Sequence, residues 1–98
     1  MFVITLTYVK PLSDVDEQLE SHIQFLNKYY DSGHFLLSGG QVPRKGGVIL
    51  AKGNDLNEIQ DIIKQDPFHI KGIAQYDVVE FNPTKANQDL AGLINNIL

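Results

Sequence analysis

The opening segment constrains the fold most. Residues Met1 to Val9 place Phe2, Ile4, Leu6 and Tyr8 on one parity and Val3, Thr5, Thr7 and Val9 on the other. Strand side chains alternate between faces, so a segment that is apolar or β-branched on both parities belongs to a strand with two usable faces. The segment reads as a central strand, and the rest of the chain must supply its neighbours and its covering layers.

The following punctuation sets out those layers. Pro11 stops the strand, and Ser13 or Asp14 can cap a helix whose first turn holds Asp16 and Glu17, where the positive end of the helix dipole favours carboxylates. The helix is predicted to run to about Asp31, with Gly33 ending it. His34 to Gln41 and Gly46 to Lys52 read as a hairpin joined through Val42, Pro43, Arg44 and Lys45. Asp55 and Glu58 have capping-box spacing and open a second helix, which Pro67 must end nearby. Ile73 to Phe81 is the last strand. Thr84 then caps a C-terminal helix over about residues 85 to 97, with Leu90, Leu93, Ile94 and Ile97 on one face.

This order, β-α-β-β-α-β with an extra C-terminal helix, predicts an α+β domain of ferredoxin-like plan, an antiparallel sheet with both helices on one face. A chain of 98 residues has room for one domain, spanning 1–98 with its core over 2–83, and buries about two thirds of the surface it exposes when unfolded. With 43% hydrophobic and 20% charged residues, it carries enough apolar surface to fold. The C-terminal helix is too short to cover the second face of a four-stranded sheet, so a homodimer is expected.

Several function classes are disfavoured. A net charge of -4 with eight Lys and Arg residues argues against nucleic acid, whose backbone is bound mainly through cations. The second hairpin strand, Gly47 to Lys52, also lacks the stacking aromatics of an RNA-recognition module. There is no cysteine, hence no disulfide, thiolate metal site or Cys nucleophile, and a cytoplasmic location is expected. His34 and His69 have no metal-ligand spacing, so no metal is expected. The glycine pairs form neither GxGxxG nor a P-loop, and no cofactor is expected. No run approaches the roughly 20 apolar residues of a membrane span, and the apolar start breaks at Lys10 and Pro11 without signal-peptide features. The C-terminal stripe lacks the basic flanks of a membrane-surface helix.

Two residues resist a purely structural reading. On the first helix Leu19, Ile23, Leu26 and Tyr30 fall within about 60° of one another and define the expected sheet-facing stripe. His22 lies about 70° to one side of it, beside Phe25 and Tyr29. An imidazole there can line a crevice and exchange protons near neutral pH, or be half buried against a backbone carbonyl. On the second helix Asp66 continues the apolar face of Leu56, Ile59 and Ile63, which aims a carboxylate at the core from the end where the helix dipole repels it. It needs a partner, and antiparallel helices would bring it beside His22. Alternatively, Asp66 turns outward to accept hydrogen bonds from the chain after Pro67. If the two meet, the carboxylate holds one ring nitrogen as a donor and leaves the other free to exchange a proton.

His22 in the first helix, Gly33 at its end, Leu37-Ser38-Gly39, Pro43-Arg44 with Gly46-Gly47, and Asp66-Pro67-Phe68 before a Tyr-containing strand form a pattern that resembles the YCII-related proteins over about residues 2 to 83. The resemblance implies a dimeric α+β barrel, similar to muconolactone isomerase, whose cleft contains the family's His and Asp. His22 and Asp66 occupy those positions as the catalytic candidates. Ser38 and Arg44 match positions near the cleft and are the ligand-binding candidates. Arg44 could pair bidentately with a ligand carboxylate or stand solvated in its loop. Ser38 could donate to a ligand or be satisfied by its neighbours, and nothing around it makes a nucleophile elbow. Gly40 departs from the pattern, since many members have Pro there. The resemblance supplies a site more than a reaction; with His22 as acid/base and Asp66 orienting it, the expected function is cofactor-free isomerisation or elimination on a small organic acid or cyclic compound. A noncatalytic small-molecule-binding or regulatory dimer, or a dimerisation module without ligand, also fits these residues.

Overall fold

The computed structural model describes residues 1–92. The elements are β1 (Phe2–Tyr8), α1 (Leu12–Glu17), α2 (Leu19–Asp31), β2 (Phe35–Gly40), β3 (Gly46–Ala51), α3 (Leu56–Ile63), α4 (Pro67–Ile70) and β4 (Ala74–Glu80), followed by a 3₁₀ turn at Gln88–Leu90 that leads into helical Ala91 and Gly92. The four strands form one sheet in the order β2-β3-β1-β4, and each neighbouring pair is antiparallel. This is the expected ferredoxin-like arrangement, with β1 in an interior position.

The register sorts the sheet into two faces. Phe2 pairs with Ala51, Ile4 with Ile49 and Phe35 with Ala51, and all five are buried with Leu6 in the main core. Each of the Phe, Ile and Leu side chains among them contributes about 1.5–3 kcal/mol relative to exposure. On the opposite face Leu37, Leu50, Val3 and Val79 stand in one row across all four strands. The outer two are 55% and 59% exposed. The chain therefore packs its helices and core on one face of its sheet and leaves aliphatic side chains showing on the other.

Between β1 and β2 the structure differs from the sequence expectation in three ways. The helix starts at Leu12 on the Pro11 carbonyl, which accepts the amides of Asp14 and Val15, so neither Ser13 nor Asp14 is its cap. It breaks at Gln18, whose amide bonds back only three residues to Val15 before the ladder restarts with His22 bonded to Gln18. The buried face of α2 is His22, Phe25 and Tyr29, not the aliphatic stripe. Phe35 explains the rotation, because its ring lies 5.7 Å from Phe25 and 5.4 Å from Tyr29, and the aromatic side of the helix turns to meet it. Leu19 and Ile23 are left 36% and 46% exposed.

Other expectations hold. Gly33 ends α2 with a φ of 86°, in the left-handed region that glycine enters without strain. Asp55 caps α3 by accepting the Glu58 amide at 2.9 Å. Where β3 closes on β1, a Cβ at Gly46 would lie 1.7 Å from the Leu6 carbonyl oxygen, so only glycine fits. The C-terminal expectation is corrected in part. Thr84 caps nothing, residues 85–87 are not helical, and Asn87 caps the short turn by accepting the Leu90 amide. Leu93, Ile94 and Ile97 lie outside the described residues. Among the described residues no helix is long and apolar enough to cross a membrane.

Candidate active site

Asp66 is not the last residue of α3. That helix ends at Ile63, and Asp66 instead caps α4 through its side chain. Pro67 accounts for the change, since its fixed φ and missing N–H suit the first position of a new helix and exclude continuation of the old one. The expected clash with the α3 dipole therefore does not arise, while the inward direction of the carboxylate is as expected.

The carboxylate is 0% exposed and three donors reach it. Oδ1 accepts the Nδ1 proton of His22 at 2.8 Å and the Phe68 amide at 3.0 Å. Oδ2 accepts the Tyr76 hydroxyl at 2.6 Å. The two alternatives read from the sequence are thus met together, with one oxygen both pairing His22 and accepting from the chain beyond Pro67. Burial of an ionised carboxylate is tolerable only with such donors. Burial and then the nearby Asp66 charge push the Tyr76 phenol well above the usual tyrosine range, so Tyr76 remains a donor.

His22 lies within the buried face of α2, on the same side as Phe25, and not at a stripe's edge. Its ring stacks on Phe68, with centroids 4.1 Å apart and planes 7° apart. Because a carboxylate only accepts, the proton on the neutral ring sits on Nδ1, which leaves the Nε2 lone pair free. No fully enclosed side-chain nitrogen or oxygen among the described residues lacks a partner, so Nε2 is not sealed in the core, and His22 lines a pocket of about 540 Å³.

The pocket lies between α2 and the β2–β3 hairpin. Leu19, Ile23 and Leu26 form one wall, and the hairpin glycines with Ile49 form the other. The aliphatic residues that the sequence assigned to the core are therefore the residues that give the pocket its apolar surface. Ser38 and Arg44 both line the pocket, but neither is free. Ser38 shares a 2.5 Å hydrogen bond with the Tyr30 hydroxyl. Arg44 is paired with Asp16 at 2.5 Å, both about half exposed, and its hydrogen bond to Asp16 raises the guanidinium pKa. An acidic ligand would have to displace Asp16 to pair with Arg44.

Tyr76 and Phe68 are the site residues that sequence reasoning missed as such. Strand parity could have pointed to Tyr76, which pairs with buried Leu6 and so faces the helices. Among the described residues no group of three His, Cys, Asp or Glu side chains could hold a metal ion. His34 belongs to a separate contact, bonded to Glu58 at 2.7 Å and to Ser32 at 2.7 Å.

Comparison with known proteins agrees with this architecture. The family model of the YCII-related domain matches residues 1–82. No curated protein matches the chain. A solved structure of 5-chloro-2-hydroxyhydroquinone dehydrochlorinase from Burkholderia phenoliruptrix, in complex with 2,5-dihydroxybenzoquinone, superposes with a TM-score of 0.71 at 14% identity, covering 86% of this chain and 96% of that one. At that identity the likeness bears on the fold alone. The match over residues 1–82, nearly the whole described chain, places the protein in the YCII-related family.

Proposed function

We propose that this protein is a cofactor-free acid/base enzyme acting on a small cyclic compound, with His22 as the proton-transferring group and Asp66 orienting it. The observation that carries the reading is the buried Asp66 carboxylate bonded at 2.8 Å to Nδ1 of His22, a residue that lines a pocket. Such a pair fixes the tautomer and the aim of the base.

In the proposed step Nε2 takes a proton from a hydroxyl or an acidic C–H of the bound ring. The O–H pair becomes a C=O bond and displaces a ring π pair, or the C–H pair becomes a ring C=C. In an elimination the shifted electrons break the bond from a saturated ring carbon to a leaving group, which departs as an anion, and in an isomerisation they take up a proton at another ring carbon. The solved neighbour is named for a dehydrochlorination, which favours elimination as the first reaction to test. The apolar walls suit a ring, and the Arg44–Asp16 pair at the pocket offers polar contacts to its substituents. Ser38 and Tyr30 add two mutually bonded hydroxyls, and the Ser38 hydroxyl can turn toward a ligand.

A second subunit completes this proposal. The row Leu37, Leu50, Val3 and Val79 gives a partner sheet an aliphatic surface to pack on, and a second copy of the same face would bury it reciprocally.

The noncatalytic reading draws on the same carboxylate, since Asp66 also ties α2, α4 and β4 together. The test is chloride release from 5-chloro-2-hydroxyhydroquinone, with deuterium uptake from solvent into the ring followed in parallel. The enzyme reading predicts chloride release, or exchange without release for an isomerase, lowered by about 100-fold or more in His22→Gln. Binding of the ring with neither product, in a stably folded protein, would favour the noncatalytic reading.

A further inference from the structure

The helix-facing surface of the sheet has a gap beside the pocket. One row runs Gly40, Gly47, Leu6, Tyr76 across the four strands, and its first two positions carry no side chain. Both glycines line the pocket that His22 lines. By strand parity a side chain at either position would point where Ser38 and Ile49 point, toward α2.

The hairpin glycines have different reasons to be glycine. Gly46 is excluded from bearing a Cβ by the Leu6 carbonyl, and a Cβ at Gly47 would lie 3.2 Å from the Gly39 carbonyl oxygen, tight enough to require a shift. At Gly40 the nearest heavy atom would be 4.0 Å away, and the only positive-φ glycines among the described residues are Gly33 and Gly72. Neither packing nor backbone conformation asks for glycine at position 40. Glycine in a strand weakens it and packs nothing, so its consequence here is the volume it leaves open.

We infer that Gly40 is a specificity-determining position, which sizes the pocket for a planar ring extended on the side away from His22. The ring lies between the bare Gly40–Gly47 backbone and the wall of Leu19, Ile23 and Leu26, with its reacting edge at His22 and a fused ring or bulky substituent over Gly40. The inference rests on the proposal that this pocket takes a cyclic compound, and it adds which rings are admitted.

The test compares phenol with 2-naphthol as probes, read by chemical-shift changes of the His22 ring during titration. The native protein is expected to bind 2-naphthol more tightly than phenol. Gly40→Ala and Gly40→Leu are expected to unfold at or above the native temperature, because they relieve a strand glycine. Gly40→Leu is expected to weaken 2-naphthol by about tenfold or more, while phenol, held near His22, changes far less. Equal binding of 2-naphthol by native and Gly40→Leu protein would overturn the inference and leave the pocket proposal standing. Failure of both probes to move the His22 resonances of native protein would overturn the pocket proposal, and the inference with it.

Discussion

The imidazole of His22 lies flat on the ring of Phe68, 4.1 Å between centroids, while the backbone amide of Phe68 donates to the Asp66 oxygen that pairs with His22. The segment Asp66-Pro67-Phe68 therefore supplies the carboxylate, the backbone donor that holds it and the plane on which the base rests. Pro67 links these roles by starting α4 immediately after the carboxylate.

Phe68→Leu tests the stacking plane. Phe68 is 1% exposed, so the change leaves a partly filled cavity and is expected to cost about 1–3 kcal/mol in denaturant unfolding. The His22 ring should also gain rotational freedom, visible as broadened or averaged ring signals. An unchanged ring signal would mean that Asp66 alone fixes the base.

Asp66→Asn replaces one acceptor oxygen by an NH₂ group that faces a donor. With three donors converging on the native carboxylate, the amide leaves at least one buried group badly paired, and a loss of about 1–3 kcal/mol is expected. Thermal or urea unfolding measures it. A neutral effect would show that the buried carboxylate contributes little to holding α2, α4 and β4 together.

Tyr76→Phe should alter the alkaline limb of stability. The folded phenol titrates above its ordinary value because of burial and the Asp66 charge, so folded protein holds a proton that unfolded chain gives up above a pH of about 10. The resulting stability is fully present below that pH and is lost as pH rises toward the folded value, at no more than about 1.4 kcal/mol per pH unit. Tyr76→Phe is expected to remove that part of the slope. Identical alkaline slopes for the two proteins would place the Tyr76 hydroxyl in free contact with solvent.

Leu37→Lys combined with Val79→Lys tests the proposed dimer. Both side chains are more than half exposed in the single chain, so the monomer should lose little, within about 0.5 kcal/mol per site. Sedimentation is expected to show a dimer for the native protein and a folded monomer for the double variant. A native monomer, or a double variant that still dimerises, would move the interface elsewhere.

Much of this arrangement is legible in the residues themselves. The two-sided β1, the glycine that ends α2, the hairpin and the Asp55 cap are local signals, and each is where its residue chemistry places it. The inward Asp66 was readable because a carboxylate in an apolar repeat demands a partner. What was not readable depended on contacts between distant segments. Hydrophobicity along α2 cannot tell an aliphatic face from an aromatic one, and it was Phe35, outside the helix, that turned His22, Phe25 and Tyr29 inward. The same rotation brought Leu19, Ile23 and Leu26 to the pocket, where the repeat alone suggested core. Ser38 and Arg44 reach the pocket as expected, but their partners Tyr30 and Asp16 come from other elements and could not be assigned from the hairpin.

The central claim is that Asp66 holds the His22 proton on Nδ1 and presents a bare Nε2 to the pocket. Heteronuclear NMR of the histidine ring nitrogens, on native protein at a pH where His22 is neutral, tests it most directly. The account predicts a single tautomer with the proton on Nδ1, and an Nε2 resonance that moves when 2,5-dihydroxybenzoquinone is added. A proton found on Nε2, or an Nε2 signal indifferent to every ring compound, would contradict it.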